Sequence, residues 1–258
     1  MHSAPPRPSA ASFRPIRQRI PGSSPTSSAY RAVLFDFFGT LTTAVRRGAA
    51  HAPIVRSLGC EPASFAAALD RTFYERASGD YGTPFDALAR IAGELGAAPS
   101  RAALTAAVGA RVAAVAADTR LRADAVPALA ALRRRGLRTA LVSDCWYELP
   151  RFLPALPVAP LLDVCVYSVQ VGRCKPDPSM YLAACARLGV SPTDCLYVGD
   201  GGSQELTGAR AVGMTAVRLS APDLAGHLTF NADRHWSGAD VTSLTEVVEM
   251  AGRTPAPV

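Results

Sequence analysis

Five polar residues stand at or near the ends of apolar segments, where side chains can do chemistry. Asp36 ends AVLFD, Ser143 and Asp144 end ALVSD, Asp200 ends LYVGD, and Lys175 lies in a loop between a strand pattern and a helix pattern. In open parallel sheets, ligands bind at the carboxyl ends of the strands. We therefore expect these five side chains to meet at one edge of a sheet.

A carboxylate at such an edge can act as a nucleophile or bind a metal ion. Asp36 and Asp200 bring two negative charges, a phosphate monoester adds about two more, and Lys175 returns one positive charge. A divalent cation would reduce the repulsion between these like charges, and oxygen ligands favour Mg²⁺. Ser143 and the backbone N–H groups after it can hold phosphate oxygens. The pattern predicts phosphoryl or acyl-type substitution at Asp36.

Two further residues bear on this chemistry. Lys175 is the single lysine beside 26 arginines, which indicates that its position needs a compact ammonium group rather than a planar guanidinium. Glu205 lies in the first turn of the helix pattern that follows Asp200. Its charge suits a helix N-terminus, and it could instead hold a metal-bound water; both interpretations stay open.

The segments that must position these residues alternate between strand and helix patterns. This alternation predicts an α/β fold, a Rossmann-like doubly wound parallel sheet with right-handed crossovers. Pro-rich residues 149–160 are expected to be an irregular connection. The predicted strands are 31–37, 137–144, 163–168, 195–200 and 214–219, and the predicted helices between them are 123–136, 177–189 and 203–213.

An all-helical insertion is predicted after the first strand. Residues 45–120 carry helical periodicity at 62–77, 83–96 and 100–117 and no strand pattern. We expect this segment to form a helical cap on an α/β core. The predicted division is a disordered tail at 1–29, the core at 30–44 and 121–250, the cap at 45–120 and a flexible C-terminus at 251–258.

Composition excludes several classes of function. Five arginines and no acid lie in residues 1–35, so they account for five of the six net positive charges and leave the remainder nearly neutral. This argues against a nucleic-acid-binding face. Apolar runs fall short of the ~20 residues of a membrane span, no secretory segment is evident, and six cysteines without a CxxC pair suggest reduced thiols. We expect a cytoplasmic protein.

The ordered motifs resemble those of the haloacid dehalogenase superfamily, in the branch with a helical cap inserted after the first motif. The resemblance covers about residues 31–220. It implies an aspartyl intermediate on Asp36, with Ser143 binding the transferred group and Lys175 neutralising the nucleophile and the substrate. The motifs are DFFGT at 36–40, Ser143 in LVSD, Lys175 in KPDP and GDGGSQELTGARAVGM at 199–214.

The resemblance also implies a set of binding residues. Mg²⁺ would be bound by Asp36, Asp200 and the backbone carbonyl of Phe38, with Glu205 assigned to the same metal site. Gly39, Thr40 and Asp144 join Ser143 as the expected phosphate-binding residues. The expected ligand is a small phosphorylated metabolite, and the oligomeric state stays open.

Phe38 departs from the phosphatase pattern, which carries Asp there as general acid and base, a role commonly worth ~10²–10⁴ in rate. Three readings remain. A Mg²⁺-dependent phosphohydrolase could act on a good leaving group or use help from His51, which we otherwise interpret as a solvated cap residue. A 2-haloacid dehalogenase-like hydrolase tolerates Phe38, but such enzymes carry a small polar residue where Asp200 stands. A catalytically weak protein that binds a phosphorylated ligand is the third.

Overall fold

The computed structural model describes residues 30–225 and 227–252. The predicted tail at 1–29 lies outside the described residues, as does most of the predicted flexible C-terminus.

A six-stranded parallel sheet forms the centre of the fold, in the order β3-β2-β1-β4-β5-β6. The predicted α/β fold class is confirmed, and the first five strands lie within their predicted ranges. The sixth strand was not predicted because its three residues, ADV, include two exposed positions and form no apolar run. The strands are β1 Ala32–Phe35, β2 Arg138–Ser143, β3 Val164–Tyr167, β4 Cys195–Gly199, β5 Thr215–Leu219 and β6 Ala239–Val241.

Helices cover both faces of this sheet, which explains why the central strands are apolar without alternation. The helices α6 Ala125–Arg134 and α11 Leu244–Ala251 share one buried cluster with alternate strand residues. The helices α9 Pro178–Leu188 and α10 Glu205–Ala211 share the cluster on the other face. Because all six strands are parallel, the loops that follow their carboxyl ends lie at the same edge of the sheet.

The segment between β1 and β2 is helical, as the sequence predicts. An antiparallel bridge between Thr42 and Leu121 joins its two ends. Its five helices are α1 His51–Ser57, α2 Pro62–Arg71, α3 Phe73–Ala77, α4 Pro84–Glu94 and α5 Arg101–Asp118. We refer to residues 45–120 as the insertion; its boundaries as a domain stay a prediction.

The predicted single helix at 62–77 is wrong, since the structure divides it at Thr72. The backbone of Thr72 leaves the helical region, with φ −103° and ψ 22°. Its hydroxyl donates to the carbonyl of Ala68 and accepts from Nε of Arg76. The break separates α3 from α2, and Arg76 lies on α3.

Side-chain caps begin two other helices of the insertion, α4 and α5. Thr83 and Asp86 form a reciprocal capping box at the start of α4, and the Ser100 hydroxyl accepts from the N–H of Ala103 at the start of α5. Each such cap satisfies N–H groups that have no partner inside the helix.

The expected irregular connection at 149–160 is only partly irregular. It contains most of the short helix α7, Glu148–Phe152, followed by two 3₁₀ turns. Leu149 and Phe152 bury their side chains in the core, which stabilises this turn of helix despite the nearby prolines. A further short helix, α8 Ser168–Val171, follows β3.

The insertion has a hydrophobic cluster of its own, which includes Phe65, Leu88 and Ile91. Trp146 and Tyr147, which follow β2, also belong to this cluster and so attach the insertion to the sheet. No helix within residues 30–225 and 227–252 is long and apolar enough to cross a membrane. The cytoplasmic location stays a prediction.

Replacing Ile91 with alanine tests this cluster, because Ile91 is completely buried. We expect Ile91→Ala to lower the free energy of unfolding by about 2–5 kcal/mol, the usual cost of such a cavity. Leu182→Ala, at a side chain that is 44% exposed, is the control and should cost far less. Urea unfolding measures both, and equal losses would contradict the described packing.

Candidate active site

Asp36 follows β1 at the carboxyl edge of the sheet and is 6% exposed. Its N–H donates to the carbonyl of Val198 in β4 at 2.9 Å, so the backbone of Asp36 is still held by the sheet. Gly39 then turns the chain with φ +84°, and a Cβ there would lie 2.6 Å from Nε2 of His227 and 2.9 Å from Oδ2 of Asp200. Glycine is required here both for the backbone conformation and for the close approach.

Lys175 lies between two carboxylates. Its Nζ is 2.7 Å from Oδ1 of Asp36 and 2.6 Å from Oε2 of Glu205. The same Glu205 oxygen accepts from the hydroxyl of Tyr197 at 2.8 Å, and its other oxygen accepts from the N–H of Gly201 at 3.0 Å. Both Glu205 oxygens are thus engaged within the protein, and Glu205 is fully buried.

Burial dominates the electrostatics of this group. It raises the pKa of Asp36 and raises that of Glu205 well above its usual range, while Lys175 opposes both shifts. Burial lowers the pKa of Lys175, but the two carboxylates outweigh it and hold that pKa well above its usual value. Lys175 therefore stays protonated, and its positive charge favours the ionised form of Asp36 against the effect of burial.

Asp200 receives hydrogen bonds on both oxygens. The N–H of Gly202 donates to Oδ1 at 3.0 Å, and Nε2 of His227 lies 3.2 Å from Oδ2. Nδ1 of His227 accepts from the N–H of Val45 at 2.9 Å, so the proton of the neutral ring is on Nε2. Burial raises the pKa of Asp200, but these hydrogen bonds more than offset it and lower that pKa.

The carboxylates form a group that suits a metal ion. One oxygen from each of Asp36, Asp200 and Glu205 lies within 4.8 Å of the others. An all-oxygen donor set is the one that Mg²⁺ prefers. Because both oxygens of Glu205 already accept hydrogen bonds, Asp36 and Asp200 are the residues better placed to bind the ion directly.

Three buried polar atoms in the same region have no hydrogen-bond partner among the described residues: the hydroxyls of Thr40 and Ser143 and Oδ2 of Asp144. Leaving such groups unpaired typically costs ~1–3 kcal/mol each. Phe35 in β1 pairs with Leu141 in β2. Asp36 and Ser143 therefore lie at the ends of adjacent strands, and their positions along the strands differ by one residue. Oxygens and hydrogens of a bound ligand would satisfy these atoms.

A cavity of about 200 Å³ lies between the insertion and the sheet edge. Asp36, Phe38, Lys175 and Asp200 line its sheet side. Phe38 stands at the position where the superfamily resemblance implies an acid. The cavity is small enough to suit a metabolite rather than a polymer.

The insertion contacts the loops of the sheet edge directly. The rings of Phe73 and Phe230 stack with centroids 4.3 Å apart, and the hydroxyl of Tyr74 donates to Oγ of Ser203 at 3.2 Å. Ser203 has φ +55°, an uncommon conformation that its N–H bond to the carbonyl of Phe230 helps to hold. These contacts close one side of the cavity.

Several residues at the site were not predicted from the sequence. His227 and Tyr197 contact the predicted carboxylates, and Arg76 and Arg111 line the cavity from the insertion. None stands in a recognisable motif; the only available signal for Tyr197 was its place in a strand that ends at Asp200. The fold alone brings the others within reach.

His51 also lines the cavity. Its Nε2 lies 2.8 Å from Oδ2 of Asp118, and its side chain is only 14% exposed. Burial lowers the pKa of His51, and Asp118 opposes this. The interpretation as a solvated residue is therefore wrong, and its side chain is already paired within the insertion.

Comparison with known proteins identifies the family. The family model for haloacid dehalogenase-like hydrolases matches residues 30–213, which is most of the chain, so this protein belongs to that family. The chain is 32% identical over 128 residues to (S)-2-haloacid dehalogenase 1 of Pseudomonas sp. (49% of this chain, 54% of the relative). It is 34% identical over 131 residues to a phosphatase of Mycobacterium tuberculosis (50% of this chain, 56% of the relative).

The chain thus spans about half the length of the curated relatives it matches. Its fold resembles that of L-2-haloacid dehalogenase from Xanthobacter autotrophicus with chloropropionic acid covalently bound. That similarity has a TM-score of 0.59 at 18% identity and covers 86% of this chain and 98% of the other. At this identity the similarity supports the fold and leaves the reaction open.

Asp144 allows a test of the electrostatics. Burial raises its pKa to about 6, with Lys175 opposing, whereas an unfolded Asp titrates at ~3.9. Between ~pH 4 and ~6 the folded protein therefore holds a proton that the unfolded chain lacks, and the free energy of unfolding falls as pH rises through this window. We expect Asp144→Asn to be more stable than the wild type at pH 8, on the order of 1–3 kcal/mol, and the difference to vanish near pH 4.

Urea unfolding at both pH values measures this difference. The matched control is Glu94→Gln, at a side chain that is 41% exposed, and it should show no comparable dependence on pH. A wild-type protein that gains stability relative to Asp144→Asn between pH 4 and pH 8 would refute the assignment.

Proposed function

We propose that this protein is a Mg²⁺-dependent phosphohydrolase that acts on a small phosphorylated metabolite through an aspartyl phosphate on Asp36. The observation that carries the proposal is the second carboxylate, Asp200, which lies beside Asp36 in the same group and has a side chain only 6% exposed. A reaction that needs only the nucleophile gives no chemical role to a second carboxylate this close to it. A metal-binding role does explain it.

The balance of charge supports a cation. Three carboxylates, Asp36, Asp200 and Glu205, share one ammonium group, Lys175. Since Lys175 is divided between Asp36 and Glu205, it offers little attraction to an incoming phosphate. Mg²⁺ bound by Asp36 and Asp200 would offset this excess and neutralise charge that develops on the transferred phosphoryl group.

The residues of the chain suit two successive substitutions at phosphorus. An oxygen of Asp36 attacks phosphorus, the bond to the leaving-group oxygen breaks, and the leaving group departs with the electron pair. Water then attacks phosphorus, the bond to Asp36 breaks, and inorganic phosphate leaves with the hydrogens of the water. The unpartnered hydroxyls of Ser143 and Thr40 are available to hold phosphoryl oxygens.

Phe38 determines which substrates this site can process. An aromatic ring cannot protonate a leaving group, so the leaving group must be stable as an anion. An acyl phosphate meets this requirement because it releases a carboxylate. We propose that the natural substrate has such a leaving group.

A haloacid dehalogenase-like reaction is the second candidate. The observation that favours it is the same ring of Phe38 lining the cavity, since halide needs no protonation to leave. Asp36 would then attack carbon in place of phosphorus and displace halide. Asp200 argues against this candidate, because the superfamily resemblance implies a small polar residue at that position in dehalogenases.

The main test is phosphate release from acetyl phosphate and p-nitrophenyl phosphate, in Mg²⁺ and in EDTA. We expect release in Mg²⁺ that stops in EDTA and that falls by about 10³-fold or more in Asp36→Asn, because the nucleophile is lost. Asp80→Asn, at a residue of the insertion outside the cavity, is the matched control.

The other outcomes separate the alternatives. Halide release from 2-chloropropionate that persists in EDTA would replace the proposal with a dehalogenase. Binding of phosphate or vanadate without turnover of either acetyl phosphate or p-nitrophenyl phosphate would favour a protein that binds a phosphorylated ligand.

Phe38→Asp tests the argument about the leaving group. A restored acid should raise the rate on an alkyl phosphate such as ethyl phosphate by about 10²-fold or more, the lower end of the range for general acid catalysis. The gain on acetyl phosphate should be much smaller. Phe38→Asn, which is polar but cannot transfer a proton, is the control, and an equal gain in both variants would contradict the argument.

A further inference from the structure

We propose that Arg76 binds a carboxylate of the substrate, so that this enzyme acts on phosphorylated metabolites that also carry a carboxylate. The inference rests on the proposed phosphohydrolase function and extends it to the other end of the same cavity. Its basis is a buried guanidinium that lines the cavity and lacks a counter-ion.

Arg76 is held firmly by neutral groups. It is 5% exposed, and its Nε donates to the hydroxyl of Thr72 at 3.1 Å while Nη2 donates to the carbonyl of Leu69 at 2.5 Å. Within residues 30–225 and 227–252, no carboxylate lies within salt-bridge distance of it. These contacts fix the direction of the guanidinium, and the nearby carboxylates of Glu148 and Asp70 act on it only from beyond direct contact.

The other buried cations of the described chain differ in this respect. Arg111 pairs with Glu148, Arg122 pairs with Asp223, and Lys175 pairs with two carboxylates. Burying an unpaired charge is costly, and proteins ordinarily compensate for it. Arg76 is therefore an exception whose missing partner is best supplied from the cavity that it lines.

The electrostatics around Arg76 agree with this assignment. Burial, and next the nearby charge of Arg111, lower the pKa of Arg76 to about 10. The guanidinium is still protonated at neutral pH. A bound anion would remove the repulsion between the two arginines, so the site gains from a ligand of negative charge.

Trp146 connects this position to the reacting end of the cavity. The guanidinium of Arg76 lies 4.6 Å from the centroid of its ring, and that of Arg111 lies 5.4 Å away. Trp146 follows Asp144 by two residues, beyond the carboxyl end of β2. Asp36, Trp146 and Arg76 all line the same cavity, so one ligand can contact Asp36 and Arg76 together.

The chemistry and size of the cavity favour a carboxylate over a second phosphate. A guanidinium presents parallel N–H groups that match the two oxygens of a planar carboxylate. The cavity measures about 200 Å³, and the phosphoryl group occupies part of it. Apolar side chains, among them Leu69, Phe73 and Val115, line the remaining wall, which suits a short carbon chain between the two anionic groups.

The test compares two stable ligands of the same shape, phosphonoacetate and its neutral amide, phosphonoacetamide. Their dissociation constants are measured by calorimetry in Mg²⁺ on the full chain. We expect the wild type to bind phosphonoacetate at least about tenfold more tightly than the amide, the effect of a hydrogen-bonded charge pair. In Arg76→Gln this ratio should fall close to one, and in Arg76→Lys it should be intermediate because the charge remains without the planar fork.

The control variant is Arg90→Gln, at an exposed arginine of the insertion that pairs with Glu94 outside the cavity; it should keep the wild-type ratio. Thermal unfolding of each variant shows that the fold is retained. A ratio near one in the wild type, or a wild-type ratio in Arg76→Gln, would overturn the inference. Tighter binding of methylenebisphosphonate than of phosphonoacetate would also overturn it, in favour of a second phosphate.

The failure of the proposed function has a different signature. If neither phosphonate binds and no phosphate is released from acetyl phosphate, the phosphohydrolase proposal fails together with this inference. If acetyl phosphate is hydrolysed but the two phosphonates bind equally, only the role of Arg76 fails.

Discussion

The buried contact of Lys175 with Asp36 and Glu205 is the constraint on which the rest of the site depends. An ammonium group with 4% exposure is stable only beside negative charge, and the two carboxylates are stable only beside it. Tyr197 and the N–H of Gly201 complete the hydrogen bonds of Glu205, so that Lys175 keeps one direction. Lys175 thereby favours the ionised form of Asp36 in a place where burial favours the neutral form.

A second set of contacts fixes the loop that carries the nucleophile. Arg122 donates to the carbonyls of Gly39 and Thr40 and pairs with Asp223, whose other oxygen accepts from the N–H of Ala44. The loop after β1 is therefore bound to the loop after β5, which also carries His227. The segment after Asp36 is thus held by Arg122 and Asp223, two side chains that are distant from it in sequence.

Features that depend on local sequence could be predicted, and features that depend on tertiary contacts could not. Strands such as β4 were predictable because burial on both faces makes them continuous apolar runs, and Asp200 could be placed because it ends such a run. The break at Thr72 could not be foreseen, since a threonine inside a helical pattern does not disclose its tertiary contacts. His227 contacts Val45 and Asp200, which are distant from it or lie in another loop, and Arg76 lies against Trp146, so their places at the cavity became visible only with the fold.

The two proposals, for Phe38 and for Arg76, each set one requirement for the substrate. Because Phe38 cannot transfer a proton, the proposed reaction requires a leaving group that is stable as an anion. Because Arg76 has no counter-ion within salt-bridge distance among the described residues, it favours a ligand that carries a negative charge. A 2-haloacid also has both properties, so Arg76 by itself does not separate the two hydrolytic reactions. The proposal of a metal-dependent reaction therefore depends on Asp200, because a second carboxylate beside Asp36 increases the repulsion of any anionic substrate and a bound cation would offset that repulsion.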